Sequence, residues 1–575
     1  MNQNNRWTLK QSGDDQLVTA LANELTITPT LANILIQRGV NTFEKARTFF
    51  RPTLEQLHDP YLMKDMDRAI SRIEHAMGDG ERILIYGDYD VDGTTAVSLV
   101  FSYFSNIYDN LDYYIPDRYD EGYGISFQGI DYAAENNISL IIALDCGIKA
   151  IDKVDYADEK NIDFIICDHH RPGEQLPNAS AILDPKREDC SYPYDELCGC
   201  GIGFKLAQAF AQKNDLPSEE LYSYLDLVSI SIGCDIVPIT GENRILAYYG
   251  LQRINTNPRL GIRCMLELLD LKKELTITDL VFVIGPRINA AGRIAHAKNA
   301  VELLLASDEH RAREVSETIN TDNLSRRDLD KSITNEALSM IQMDNYLSNA
   351  KSCVLHHSNW HKGVIGIVAS RVIESYYRPT IILTDDGKVA SGSARSVKGF
   401  DVYNAIEACA EHIDQFGGHK YAAGLTMPIK NIPAFRKKFD EVVSKTITAA
   451  QLIPEIAIDT KLNLIEINPK FFRILSQISP FGPQNMRPVF LSKGVLDTGY
   501  SKTVGADNLH LKLSVYQPGN TQLKINGIGF NMGHFYPKIG QGIPFDIVYT
   551  IEENEWNGNV SLQLNLKDIR FQEES

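Results

Sequence analysis

Residues Ile83–Thr95 read Ile-Leu-Ile-Tyr-Gly-Asp-Tyr-Asp-Val-Asp-Gly-Thr-Thr. Four apolar residues run straight into three aspartates, Asp88, Asp90 and Asp92, set two apart. Like charges at that spacing repel and do nothing for a core, so the stretch calls for positive charge beside it. A short apolar run closed by a turn signal is the pattern of a strand buried on both faces. The pattern recurs. Leu140–Leu144 leads to Asp145-Cys146-Gly147, and Phe164–Cys167 leads to Asp168-His169-His170. Leu227–Cys234, read as a helix or helix end, leads to Asp235. Helical stretches at Thr94–Tyr108 and Ala150–Lys160 alternate with these runs, and Ala181–Leu183 is a further apolar run. Such alternation predicts βαβ units and a parallel sheet, with ligands held beyond the carboxyl ends of its strands.

Three explanations of the aspartate loop compete. As an EF-hand counted from Asp88, position 12 falls on Leu99, where a bidentate glutamate is required. As a phosphate-cradling P-loop it lacks the lysine, because Gly93 is followed by Thr94-Thr95. The third is a metal site assembled from several strand ends. Carboxylates with one or two imidazoles suit Mn²⁺ and Mg²⁺, and two ions about 3.5–4 Å apart can clamp both oxygens of a phosphoester displacement. Helix capping would explain any one of these aspartates. It does not explain three in one loop, further acids after other runs, and a histidine pair.

The rest of the chain bounds the answer. At 575 residues it is long enough for three or four domains. Its apolar runs are too short to span a bilayer, and the N-terminal MNQNNRWTLK lacks the layout of a secretion signal. Nine scattered cysteines read as free thiols in a reducing compartment. The expectation is a soluble, cytoplasmic protein. Cys198 and Cys200 are one residue apart with no second pair, so packing in a glycine-rich turn is favoured over zinc. The cluster His356, His357 and His361 is read as support for a cleft, not a third metal site. Residues 1–80 read as helical and polar. Residues 297–345 contain neither Pro nor Gly and read as a long connecting helix or helix pair. A second α/β texture follows over 351–447. From about 452, period-two stretches such as Leu509–Val515 and Asn559–Leu566 predict a small antiparallel barrel. The net charge of −18 speaks against a protein that coats nucleic acid, unless basic groups are concentrated locally.

Taken in order, Asp88–Gly93, Leu144–Gly147, Asp168–His170 and Gly233–Asp235 resemble the DHH phosphoesterase superfamily. Within it they resemble the bacterial RecJ family of single-strand-specific DNA exonucleases. Supporting segments are Ile115–Gly124, Leu197–Lys205, Gly285–Arg293, Trp360–Gly366, Ser391–Ser396, Gly417–Gly424 and Phe481–Asn485, so the likeness covers roughly residues 80 to 500.

The resemblance implies an α/β protein with five parts. These are an N-terminal helical extension (1–80), a parallel-sheet DHH catalytic domain (81–296), a connecting helix (297–345), a DHH-associated α/β domain (346–450) and an OB-type barrel (451–575). It implies that Asp88, Asp90, Asp92, Asp145, His169 and Asp235 hold two divalent cations, Mn²⁺ or Mg²⁺. Asp145 would bridge them, His170 would face the scissile phosphate, and Asp168 would orient a histidine or a metal water. Arg118, Arg287, Asn289 and Arg293 of the first domain, with Ser393, Arg395, Gly417, Gly418 and His419 of the second, would bind substrate. Lys502, His510, Lys512, Lys524, Tyr516 and Phe530 would contact single strands by charge and stacking. The implied activity is 5′-to-3′ hydrolysis of single-stranded DNA in repair and recombination. A monomer is implied, working beside a RecQ-type helicase and a single-strand binding protein, with no membrane contact. The competing enzymatic reading is a DHH phosphodiesterase of short oligonucleotides or cyclic dinucleotides. A third is a catalytically inert scaffold like the related replication-helicase subunits, which tend to lose metal-site acids; here the acids are all present.

Overall fold

The apolar runs form strands. In a computed structural model that describes residues 5–556 and 558–571, the chain divides into two compact units. One comprises Arg51–Arg327 and Ser479–Met486, and the other comprises the remaining described residues. No helix among the described residues is long and apolar enough to cross a membrane; the first four residues of the N-terminal stretch lie outside them.

In the first unit, β2 (Arg82–Gly87), β3 (Leu111–Tyr114), β4 (Ile138–Leu144), β5 (Asp163–Cys167) and β6 (Ala181–Leu183) build one sheet. Every pairing is parallel, in the order β3-β2-β4-β5-β6. Helices α1 (Val91–Ser105), α2 (Phe127–Glu135) and α3 (Ile151–Asp158) lie between successive strands. The strands are apolar throughout because both faces are covered. Ile83, Ile85, Leu140, Ile142 and Ile165 enter one core, while Leu84, Tyr86, Ile141, Ala143 and Phe164 enter another. The first core also takes in residues of α4 (Gly199–Lys213), α5 (Leu225–Cys234) and α6 (Gly241–Thr256). From β2 the chain passes to β3 on one side and then to β4 on the other. The switch point therefore lies between β2 and β4, which is where an open parallel sheet presents its crevice.

Two buried charge networks brace this unit. Lys205 Nζ lies 2.6 Å from Glu242 Oε1, and both side chains are sealed from solvent. The ammonium also donates to the His58 carbonyl and to Gln208. Glu242 accepts the His58 N–H and the Tyr192 hydroxyl. Arg187 bonds Asp65 Oδ2 at 2.7 Å, the Ile182 carbonyl, and Asp189. Burial pushes the Asp65 carboxyl up, and the bond and charge of Arg187 outweigh it, so its pKa lies below the ordinary value. Asp65 has φ 65°, which asparagine tolerates. Asp65→Asn is expected to cost about 1–3 kcal/mol at pH 7, because Arg187 loses a charged acceptor. A lowered carboxylate pKa stabilises above its unfolded value, near 4, and that stabilisation is lost as pH falls through the folded value. Urea melts of the variant and the wild type should therefore converge toward pH 3.

The 297–345 region is a helix pair, Lys298–Leu305 and α8 (Glu309–Met343), and the two units part inside α8. In the second unit, β7 (Cys353–His356), β8 (Thr380–Asp385), β9 (Val389–Arg395), β10 (Gln415–His419) and β11 (Ala422–Pro428) form a sheet ordered β10-β11-β9-β8-β7. Helix α9 (Ile365–Ser375) packs on it. β1 (Arg6–Leu9) pairs in parallel with β12 (Glu455–Ile458), so the segment read as helical also contains a strand. Its partner lies far along the chain, and four residues carry too little period to show it.

The last strands are β13 (Thr460–Lys461), β14 (Phe490–Asp497), β15 (Lys502–Val504), β16 (His510–Gln517), β17 (Asn520–Gly529), β18 (Phe545–Trp556) and β19 (Asn559–Phe571). β14, β18, β19, β17 and β16 pair in that order, and a β14–β16 pairing closes the ring. This is a five-stranded barrel, and β17 runs parallel to β19, so it is not wholly antiparallel.

Candidate active site

The carboxyl ends of β2, β4 and β5 and the end of α5 bring the predicted acids together. Asp90 caps α1, its Oδ1 accepting from the N–H groups of Asp92 and Gly93. The first turn of α1 lies directly on the loop. A Cβ on Gly93 would sit 2.3 Å from the Asp88 carbonyl oxygen, so only glycine fits. Asp145 follows β4 with φ 59° and donates its N–H to the Cys167 carbonyl. His169 Nε2 lies 3.1 Å from Asp145 Oδ1, 3.5 Å from Asp235 Oδ2 and 3.7 Å from Asp92 Oδ2. His170 Nδ1 lies 4.0 Å from Asp145 Oδ1. Asp88 is fully buried, and its Oδ1 accepts the Gly124 N–H at 3.4 Å.

The electrostatics of this cluster are unfavourable as the protein stands alone. Burial, then the mutual repulsion of the acids, raises the pKa of Asp90 above its ordinary value and those of Asp88, Asp145 and Asp235 well above theirs. Burial pulls His169 down to about 4, which leaves its imidazole neutral. Asp88 Oδ2, Asp145 Oδ1, Asp235 Oδ2 and both His169 nitrogens are buried without a hydrogen-bond partner among the described residues. Such groups need an explanation, and an oxygen-rich set around one neutral imidazole fits a hard or borderline divalent cation.

Asp168 is bonded differently. Its Oδ1 takes the N–H groups of His169 and His170 and contacts His170 Nδ1 at 2.7 Å, while Oδ2 takes the Ile148 N–H. Burial pushes the Asp168 carboxyl up, but His170 and these bonds bring it down to about 2. Burial opposes the His170 imidazolium, and Asp168 overcomes that and lifts it to about 9.

Arg118 stacks 4.1 Å over the Tyr89 ring of the aspartate loop. Its Nε is buried without a hydrogen-bond partner among the described residues. Helix α7 (Gly285–Ile294) carries Arg287, Asn289 and Arg293. A Cβ on Gly292 would lie 2.8 Å from the Tyr89 carbonyl oxygen, so the end of α7 sits against the loop. The Arg293 carbonyl accepts from Tyr119. Arg287 instead bonds Asn320 of α8 and the Val283 carbonyl, and Asn289 is half-buried.

In the second unit the register places Gly417, Gly424 and Ser393 in one row across three strands, and His419, Ala422 and Arg395 in the next row of the same face. Gly418 lies between them at φ 139°. Arg395 bonds Ser393 Oγ at 3.0 Å and the Ala394 carbonyl, and it pairs with no carboxylate among the described residues. His356 is paired with Asp385 at 2.7 Å, and His357 stacks on Trp360. On the barrel, Lys502 pairs across from Lys512, Lys524 lies over the exposed Tyr500, and His510 meets the exposed Phe530 edge-on. Tyr516 is half-buried.

Four residues escaped the sequence reading. Tyr123, 57% exposed, places its hydroxyl 3.2 Å from His170 Nε2. Asp184 ends β6 as the other acids end their strands, and burial lifts its carboxyl to about 7. That strand-end position was the available signal. Gly199 and Ser231 contact Asp92, and nothing local in the sequence announces it.

Comparison with known proteins identifies the domains that carry these residues. The N-terminal domain of the DHH family matches residues 82–232, the DHHA1 domain matches 349–445 and the RecJ OB domain matches 458–568. The single-stranded-DNA-specific exonuclease RecJ of Bacillus subtilis is 36% identical over 99% of this chain and 71% of its own length. That of Salmonella typhimurium is 32% identical over 94% of this chain and 96% of its own. The crystal structure of Thermus thermophilus RecJ in complex with Mn²⁺ superposes with a TM-score of 0.85 at 25% identity, covering 99% of this chain and 80% of that one. The chain belongs to the RecJ family of single-stranded-DNA-specific exonucleases.

Proposed function

We infer that this chain is a metal-dependent exonuclease that hydrolyses single-stranded DNA. The observation that carries the reading is the set of buried, unpartnered carboxylate and imidazole atoms around His169 Nε2. Asp88, Asp90, Asp92, Asp145, His169 and Asp235 would hold two divalent cations, Mn²⁺ or Mg²⁺. Bound there, such ions supply activation of water and compensation of phosphoryl charge. The chain's own side chains do the positioning. Asp168 holds His170 at Nδ1, so a phosphoryl oxygen would meet its Nε2, where it would take the place of the Tyr123 hydroxyl now 3.2 Å away. Arg118 and Arg293, beside Tyr89, offer positive charge next to the acids. Arg287 and Asn289 lie on the same helix, but Arg287 is bonded to Asn320 and the Val283 carbonyl, so a substrate role for these two rests on likeness to the family alone. The set of Ser393, Arg395, Gly417, Gly418 and His419 suits a terminal phosphate, because a half-buried arginine with no carboxylate partner among the described residues and glycine N–H groups both welcome an anion.

The finer parts of the reading rest on likeness to the family: 5′-to-3′ polarity, a role in repair and recombination, a monomer in the cytoplasm, and a RecQ-type helicase and single-strand binding protein as partners. The five-part division at 80, 296, 345 and 450 is likewise a proposal. The exposed lysines and aromatics of the barrel support a strand-holding surface in an acidic protein, one whose binding weakens with salt.

The test is digestion of an end-labelled long strand, its duplex and a dinucleotide. Mononucleotide release from the long single strand is expected with Mn²⁺ and none in excess EDTA, with restoration on adding metal back. Undiminished hydrolysis in EDTA would refute the metal reading, and preference for the dinucleotide would favour the short-substrate phosphodiesterase.

A further inference from the structure

Asp92 is bonded unlike the other acids of the cluster. A carboxylate offers about four lone-pair directions. On Asp92, Oδ1 accepts the Cys200 N–H at 2.7 Å and the Ser231 hydroxyl at 2.6 Å, and Oδ2 accepts the Gly199 N–H at 2.6 Å. Three directions are taken. The one left is on Oδ2, the oxygen 3.7 Å from His169 Nε2. Gly199 serves both sides of this arrangement. A Cβ there would lie 2.6 Å from the Asp145 Cβ, so the bare backbone allows the start of α4 to bond one acid while touching another.

Ser231 is the side chain that completes the set. It is fully buried in the apolar helix α5, where a serine ordinarily returns its hydroxyl to a carbonyl one turn back. Ser229, two residues earlier and equally buried, does that, donating to the Asp226 carbonyl. Ser231 leaves its own helix and reaches Asp92 in α1.

We propose that Ser231 is a positioning residue: with the first N–H groups of α4 it locks the Asp92 carboxylate so that a single Oδ2 lone pair is presented to a divalent cation. This rests on the metal reading above. Loss of the hydroxyl frees one Oδ1 direction and lets the carboxylate rotate, which weakens the site without emptying the core. Partners of this kind are worth about 10–100-fold in metal affinity.

The experiment is Mn²⁺ titration of the metal-stripped full chain by calorimetry, with free Mn²⁺ followed by electron paramagnetic resonance, on wild type, Ser231→Ala and Ser229→Ala. Both variants lose one buried hydroxyl from the same helix, so thermal melting without metal should shift by similar amounts. Only Ser231→Ala is expected to raise the Mn²⁺ dissociation constant, by about tenfold or more. Superimposable isotherms for Ser231→Ala and wild type overturn the inference, as does an equal loss in Ser229→Ala. A wild-type chain that takes up no Mn²⁺ overturns the metal reading and this inference with it, so the two failures are distinguishable.

Discussion

Replacing Asp145 by alanine is expected to lower the rate of single-strand hydrolysis by about 10²–10³-fold or more, the order seen when one group is removed from a pre-organised charged site. Asp145 stands at the centre of the cluster. Its Oδ1 is 3.1 Å from His169 Nε2 and 4.0 Å from His170 Nδ1, and this oxygen accepts no hydrogen bond among the described residues. Burial and the repulsion of Asp92, Asp90 and Asp235 raise its pKa, so in the metal-free chain it opposes folding. Alanine relieves that repulsion but costs about 1–2 kcal/mol in the left-handed backbone at position 145 (φ 59°), so without metal the variant should melt within a few degrees of the wild type while losing activity. That pairing separates a lost ligand from a lost fold. Hydrolysis close to the wild-type rate with Mn²⁺ would remove Asp145 from the reacting centre.

Glu242→Ala is expected to cost about 3–5 kcal/mol, because it leaves the Lys205 ammonium buried without its counter-charge. Two further donors, the His58 N–H and the Tyr192 hydroxyl, lose their acceptor at the same time. The loss should appear as a lower urea midpoint for the unit containing Arg51–Arg327, with the barrel's own unfolding unmoved. A midpoint unchanged from wild type would mean that Lys205 finds water in the folded state.

The strand-end acids were legible in the sequence because both halves of the signal are local: a doubly buried strand announces itself by a continuous apolar run, and the acid follows at once. Asp88, Asp90, Asp92, Asp145 and His169 were found that way. Asp184 obeys the same rule after β6, but its three-residue run drew no attention to what followed. Helix α5 hides its role better. Leu227–Cys234 shows little amphipathic pattern because it is buried all round, so nothing distinguishes Ser231 from Ser229 until α1 is placed beside it. Arg287 stands in the same segment as Arg293, yet its guanidinium turns to Asn320 and the Val283 carbonyl, which spacing along the sequence does not reveal. The parallel β17–β19 pairing was illegible for another reason: period two reports which face of a strand is buried and says nothing of the direction of its neighbour.

The pairing of β1 with β12 sets a clock on synthesis. Arg6–Leu9 is made first, and its partner Glu455–Ile458 follows 449 residues later. At about 5–20 residues per second that is a wait of roughly 20–90 seconds. Through that interval Trp7 lacks Asp568, the carboxylate that receives its indole N–H in the finished protein, and Lys10 lacks Asp459. The leading segment must stay unpaired, or in the care of a chaperone, while most of the acid-bearing unit is already in hand. A nascent chain arrested before residue 455 should therefore expose Arg6–Leu9 to protease while the parallel sheet resists.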